Sequence, residues 1–195
     1  ITKKELVKMV RKSRLNVVNF EVFRPIENKK LLFRINKGAV EINSIDAAYM
    51  MDKETGYIRI KRFANNTYEE FKDQLLALKE AGMKKLILDL RNNGGGYLQA
   101  AVNIADEFLS GNKLIVYTYG SKIGREDYVA YRNGAFENGR LMIVVDENSA
   151  SASEILAGAI QDWDRGVVIG RQTYGKGLVQ EQFEMGDGAA LRITI

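Results

Sequence analysis

Apolar residues recur along the chain with two periods, and the alternation between those periods predicts the order of its elements. Leu6, Val7, Met9 and Val10 fall at helical spacing behind Thr2-Lys3-Lys4-Glu5, a capping-box pattern, so a short amphipathic helix is expected to end near Lys12. Val17 to Phe23 and Leu31 to Ile35 predict two strands, broken by Arg24-Pro25-Ile26-Glu27-Asn28. A helix and two strands in about 35 residues bury too little to form a core alone. Residues 1–37 are therefore expected to be the tail of a separate small domain, with Val40 to Tyr49 connecting it to a main domain over 38–195.

In the main domain, Tyr57 to Phe63 alternates as a strand does. Thr67 to Glu70 predicts a second capping box, opening a helix with Phe71, Leu75 and Leu78 on one face that stops at Gly82. Leu86-Ile87-Leu88-Asp89-Leu90 is nearly continuous, the pattern of a strand covered on both faces. After Arg91-Asn92-Asn93-Gly94-Gly95-Gly96, a helix runs through Leu98, Ala101, Val102, Ala105 and Phe108 to Gly111. Lys113 to Tyr119 predicts a strand, and Ser121 to Arg140 a polar excursion with a hairpin-like turn at Arg132-Asn133-Gly134. Leu141 to Val145, a helix through Ile155, Leu156, Ala159 and Ile160, and Val167 to Ile169 then repeat the β–α–β rhythm. Val179 to Met185 and Ala190 to Ile195 predict a closing hairpin across Gly186-Asp187-Gly188. Strands alternating with helices imply an α/β domain with a largely parallel sheet, whose site lies where strands feed helices.

Two stretches sit at such positions. Asn148-Ser149-Ala150-Ser151-Ala152-Ser153-Glu154 joins a buried strand to a helix, where a side chain is exposed and the helix start offers unpaired N–H groups to an anion. Ser151 with Glu154 is also a capping box, which needs no catalysis. Three glycines after the Leu86 strand let backbone approach a ligand and aim N–H groups at developing charge, or simply make a tight turn.

Composition narrows the chemistry. The chain has 195 residues, 46% of them apolar and 28% charged, ordinary for a globular protein. No apolar run approaches the roughly 20 residues of a membrane span. With no His and no Cys, a Ser-His-Asp triad, a thiol nucleophile and zinc sites of imidazole or thiolate are excluded. A nucleophilic Ser151 must then take a carboxylate or a neutral lysine as its base. Lys176, flanked by Gly175 and Gly177 in a turn between apolar runs, is such a lysine if desolvated there, and a solvated turn lysine otherwise. Residues 1–37 hold 11 Lys and Arg against 3 Asp and Glu, whereas the remainder holds 18 against 22. A basic arm suits nucleic acid or an anionic membrane, but its regular apolar spacing favours the solvated face of a folded element. Gly170 to Lys176 matches the first seven positions of a phosphate-binding loop. Gly177 then replaces the hydroxyl that holds magnesium, and Leu178 to Phe183 alternates like a strand instead of opening a helix.

Leu88-Asp89-Leu90-Arg91-Asn92-Asn93-x-Gly95-Gly96, the Asn148 to Glu154 stretch and Thr173-Tyr174-Gly175-Lys176-Gly177-x-Val179-Gln180 occur in the order found in the carboxyl-terminal processing peptidases, which this chain resembles from about Ile42 onward. The resemblance implies a core shaped like the Clp protease and crotonase folds and an ATP-independent serine endopeptidase with a Ser–Lys dyad. It maps the nucleophile to Ser151, the base to Lys176, the orienting residue to Gln180 and the oxyanion amides to Gly95 and Ala152. The choice among Ser149, Ser151 and Ser153 rests on that resemblance, and Gly94 stands where many members have proline. Residues 1–37 would be a remnant of the peptide-binding PDZ domain that precedes such cores. Beginning at Ile1 and stopping inside an expected strand, the chain is expected to be a piece of a longer protein. The implied partners are polypeptides with accessible carboxyl termini, without nucleic acid, metal or cofactor. A homo-oligomer and peripheral membrane attachment through parts outside this chain remain open, and the implied location is the periplasm or cell envelope. The rival readings are a non-catalytic peptide- or hydrophobic-ligand-binding module of the same fold and a crotonase-like acyl-CoA enzyme.

Overall fold

The computed structural model describes residues 1–38, 43–122, 124–186 and 188–194, and divides the chain into units Ile1–Ile42 and Asn43–Ile195. In the first, Thr2 and Glu5 close the expected capping box over α1 (Lys3–Lys12). Thr2 N–H donates to the Glu5 carboxylate at 2.8 Å, and Glu5 N–H to the Thr2 hydroxyl at 3.3 Å. β1 (Val17–Arg24) and β2 (Lys29–Asn36) pair antiparallel around a 3₁₀ turn at Pro25–Glu27. A helix and one hairpin supply no third layer, and none of the described residues of this unit is buried. Leu32 is 80% exposed.

The second unit runs β3 (Ile45–Met50), β4 (Thr55–Ile60), α2 (Thr67–Glu80), β5 (Lys85–Asp89), α3 (Leu98–Asp106), β6 (Leu114–Gly120), β7 (Gly124–Val129), β8 (Arg140–Val145), α4 (Ala152–Asp162), β9 (Val167–Gly170), β10 (Gln180–Glu184) and β11 (Ala190–Thr194). Five strands form one sheet in the order β3-β4-β5-β8-β9, parallel except for β3. The pairs β6–β7 and β10–β11 are separate antiparallel hairpins. The α/β architecture is the expected one.

Four local expectations fail. Part of the Val40 to Tyr49 connector is strand β3, while residues 39–42 lie outside the described part. Thr67 and Glu70 do not form a capping box. The Thr67 hydroxyl accepts from Ala64 N–H at 2.7 Å and donates to Ser44, and the Glu70 carboxylate accepts the Ser44 and Ile45 amides, tying α2 to the start of β3. The excursion after Tyr119 contains β7, so the hairpin turns before Gly124, not at Gly134. Gly134 instead packs on the Glu107 carbonyl, where a Cβ would lie 2.5 Å from the oxygen.

The fourth failure is the two-sided burial expected of β5. Its crossovers explain why. The steps β4-α2-β5, β5-α3-β8 and β8-α4-β9 all advance the same way across the sheet, so right-handed connections put all three helices on one face. Ile58, Leu88 and Ile143 face them in register and are fully buried. Tyr57, Ile87 and Met142, the register row on the other face, are only half-buried. Under the helices Phe108 meets Phe71 and Phe136 edge-on, with centroids at 5.8 and 6.3 Å. Phe108→Ala removes a fully buried ring that touches both, and should cost about 3–5 kcal/mol in urea unfolding.

Candidate active site

β5, β8 and β9 are parallel neighbours, so the loops leaving their carboxyl ends meet at one edge of the sheet. The first loop is anchored by Asp89, which is fully buried and takes both Arg91 and the Tyr57 hydroxyl. Burial pushes the Asp89 carboxyl up, but the Arg91 and Tyr57 hydrogen bonds outweigh it and hold the group below its usual range. Burial together with Asp89 pushes the Tyr57 phenol up to about 12. Asp146, at the end of β8, accepts the amides of Asn92 and Asn148 and so joins the first loop to the second. Asn93 is buried between them. Its side chain donates to the Ile60 carbonyl at 2.9 Å, and its own carbonyl accepts Ala150 N–H and the Ser153 hydroxyl.

The three serines of the second loop have different surroundings. Ser149 and Ser153 are fully buried, and their hydroxyls donate to the Leu90 and Asn93 carbonyls at 2.8 and 2.9 Å. Ser151 alone of the three lines a cleft of about 890 Å³. Its backbone is strained, with φ 56 and ψ −112, a region L-residues rarely adopt and one that costs on the order of 1–3 kcal/mol. Strand β8 and helix α4 thereby meet at a sharp turn with Ser151 at its apex. The capping box is formed as well: the Glu154 carboxylate accepts Ser151 N–H at 2.7 Å.

That same carboxylate also holds the third loop. Glu154 Oε1 accepts the Thr173 hydroxyl at 2.8 Å and Gly175 N–H at 2.6 Å, while Oε2, already bonded to Ser151 N–H, accepts Lys176 N–H at 2.9 Å. Tyr174 N–H adds a bond to the Ser149 carbonyl at 3.0 Å. Ser151, Lys176, Gln180 and Gly95 consequently line one cleft, with Phe63, Leu98 and Ile155 among its apolar residues. Lys176 Nζ lies 3.5 Å from Gln180 Oε1, at the limit of a hydrogen bond. The chain after Lys176 continues into β10 and opens no helix, against the phosphate-loop reading.

Two features of this cleft bear on the expected roles. Of the two readings open for Lys176, the structure has the exposed one, with glycines on both sides that bring no side chain to cover it and a cleft that is open. Of the two amides expected at the oxyanion position, Gly95 N–H donates to Asn93 Oδ1 at 2.9 Å, and the Ala152 nitrogen lies beside that glycine, 2.9 Å from where a Gly95 Cβ would sit. Gly95 has a second task, since φ is +91 and a Cβ there would lie 2.8 Å from Ser151 Cβ. Only glycine lets the first loop approach the Ser151 turn so closely.

Glu154 and Asn93 were not legible as site residues. Spacing shows Glu154 as a cap, but its bonds to residues 173–176 depend on the adjacency of β8 and β9. Burial pushes the Glu154 carboxyl up, and the Thr173, Lys176, Gly175 and Ser151 hydrogen bonds outweigh it, leaving the group below its ordinary 4.5. A lowered native value stabilises above the unfolded value and is lost as pH falls through the native one. Glu154→Gln, which turns an amide NH₂ toward two donors, should cost ~1–3 kcal/mol at neutral pH, and this gap should shrink below about pH 4.5. Hydrogen exchange at Gly175 and Lys176 should quicken with it. Unchanged exchange at both would show that Glu154 does not hold the loop.

Residues 54–195 match the model of peptidase family S41. The chain is 44% identical over 144 residues to the carboxyl-terminal-processing protease of Synechocystis sp., covering 73% of this chain and 33% of that one. It is 36% identical over 193 residues to a CtpA-like serine protease of Staphylococcus aureus, covering 97% and 38%. The photosystem II D1 C-terminal processing protease superposes with a TM-score of 0.66 at 30% identity, over 87% of this chain and 47% of that one. The chain thus spans about a third to a half of the length of these relatives. Among the described residues no helix is long and apolar enough to cross a membrane. With the family's motifs gathered at one edge of the sheet, the chain belongs to peptidase family S41.

Proposed function

We propose that this chain carries the catalytic centre of an ATP-independent serine endopeptidase that cuts proteins near their carboxyl termini. The observation that carries the reading is the shared cleft: Ser151 at a strained turn, with Lys176 held to the same carboxylate that holds Ser151. Ser151 Oγ attacks the scissile carbonyl while Lys176 Nζ takes its proton and passes it to the leaving amine. A water then hydrolyses the acyl-enzyme by the same route. Gln180 orients the lysine amine. The oxyanion falls to the Gly95 and Ala152 amides, for which Gly95 must exchange its Asn93 acceptor for the substrate oxygen. A donor so placed is typically worth about 3 kcal/mol.

Lys176 is exposed in the open cleft, so in this reading the bound substrate is what removes water from its amine. Polypeptides with accessible carboxyl termini are the proposed substrates, residues 1–37 a remnant of a peptide-binding domain, and the exported compartment the proposed location. No nucleotide or metal takes part in the steps above.

The test is cleavage of an unstructured-tailed protein without nucleotide. Ser151→Ala should abolish it, whereas Ser149→Ala and Ser153→Ala, if folded, should retain most of it. Lys176→Ala and Lys176→Arg should both be inactive, because guanidinium keeps its proton. Wild-type rates in Ser151→Ala or in Lys176→Arg would overturn the mechanism.

A further inference from the structure

Of the two amides assigned to the oxyanion, one is ready and the other is engaged. Ala152 N–H, the first of α4, has no acceptor among the described residues. Gly95 N–H is held by Asn93 Oδ1 at 2.9 Å. Asn93 has little freedom to leave. It is fully buried, its Nδ2 donates to the Ile60 carbonyl at 2.9 Å, its N–H donates to the Leu90 carbonyl at 3.1 Å, and its own carbonyl accepts Ala150 N–H and the Ser153 hydroxyl. The glycine is the partner that moves. Its carbonyl is pinned by Phe63 N–H at 3.0 Å, but its amide belongs to the Gly94–Gly95 peptide. Gly94 is exposed, and a Cβ added there would meet no heavy atom within 4 Å beyond its chain neighbours. A peptide plane between two glycines, open on one side, turns with no side chain to resist it.

Resting on the peptidase reading above, we propose that Asn93 is a latch on the oxyanion site, which satisfies Gly95 N–H in the idle enzyme and yields it only to a negatively charged oxygen. Gly95 is buried, so its amide needs an acceptor when no substrate is bound. A neutral substrate carbonyl offers that amide nothing better than the neutral Asn93 oxygen, and binding alone leaves the latch closed. Once Ser151 adds to the carbonyl the oxygen carries charge, and a charge-assisted hydrogen bond is roughly twice as strong as a neutral one. Gly95 N–H then joins the Ala152 amide beside it. The second donor is thereby spent on the tetrahedral state and withheld from the ground state. Asn93 acts through Gly95 without touching substrate, which makes it a positioning residue. Removing its side chain should favour the tetrahedral state while weakening the fold, since the Ile60 carbonyl loses its donor.

The test uses the full chain and a peptide boronic acid. Ser151 Oγ adds to its boron while the hydroxyl proton passes to Lys176, leaving a tetrahedral, anionic boronate with one oxygen at the oxyanion position. In a crystal structure of that complex with wild type, Gly95 N–H should have left Asn93 Oδ1 for the boronate oxygen. Asn93→Ala should bind the boronate about three- to tenfold more tightly than wild type, the size of one neutral hydrogen bond. Urea unfolding should nevertheless find the variant less stable. An Asn93 with only a structural role would lower affinity and stability together. Gly95 N–H still on Asn93 in the wild-type complex, or no tighter binding by a folded Asn93→Ala, would overturn the latch and leave the peptidase reading standing. If Asn93→Ala does not fold, the wild-type complex decides between the two outcomes. A wild type that neither binds the boronate nor cleaves an unstructured-tailed protein would overturn the peptidase reading itself.

Discussion

Four hydrogen bonds converge on the Glu154 carboxylate, and the arrangement of the site depends on them. One comes from Ser151 N–H, at the strained turn, and three from the Thr173 to Lys176 loop. The carboxylate lies in the first turn of α4, where the helix dipole favours negative charge and where an N-cap partner is needed anyway. A single side chain thus stabilises the helix start, the unfavourable Ser151 backbone and the position of the loop that carries Lys176. Removing its charge would strike all three together, which is why its effects should not separate into independent parts.

The strain at Ser151 persists because its surroundings over-determine it. Behind the turn, the Asn93 carbonyl receives Ala150 N–H and the Ser153 hydroxyl, and Gly95 closes on Ser151 with no room for a Cβ. These contacts come from the loop after β5, so they exist only because β5 and β8 are adjacent and parallel. The sheet delivers both loops to the same edge, and the buried polar bonds between them hold the turn. On the outer side, Lys176 and its hairpin leave the cleft open. In the proposed peptidase reading, a strained serine turn facing an open wall suits a polypeptide that completes the site as it binds.

Much of this was legible from spacing because the interactions responsible are local. The 3.6-residue and two-residue periods place the helices and most strands, Thr2 and Glu5 cap their helix as their spacing requires, and strand-to-helix turns mark both Gly95 and Ser151 as edge positions. β3 escaped notice because Ile45–Met50 is a short edge strand whose pairing with β4 is irregular between Ile45 and Ala47, which breaks the alternation. Thr67 and Glu70 have the spacing of a cap, but both are taken by Ser44, more than 20 residues earlier, a competition that local spacing cannot reveal.

The sequence by itself determined the element order, the α/β class, and the absence of any histidine or cysteine that forces a serine to rely on lysine or carboxylate. Spacing left Ser149, Ser151 and Ser153 equivalent, and only the resemblance pointed to Ser151. The tertiary structure separates them physically, by giving the outer two buried backbone carbonyls to bond and leaving Ser151 at the cleft. It alone showed that Lys176 is exposed, that Gly95 N–H is held by Asn93, and that Glu154 reaches 22 residues along the chain to Lys176. The physical reason is that strand order, fixed by right-handed crossovers and core packing, decides which loops become neighbours, and no periodicity within one segment encodes its neighbour.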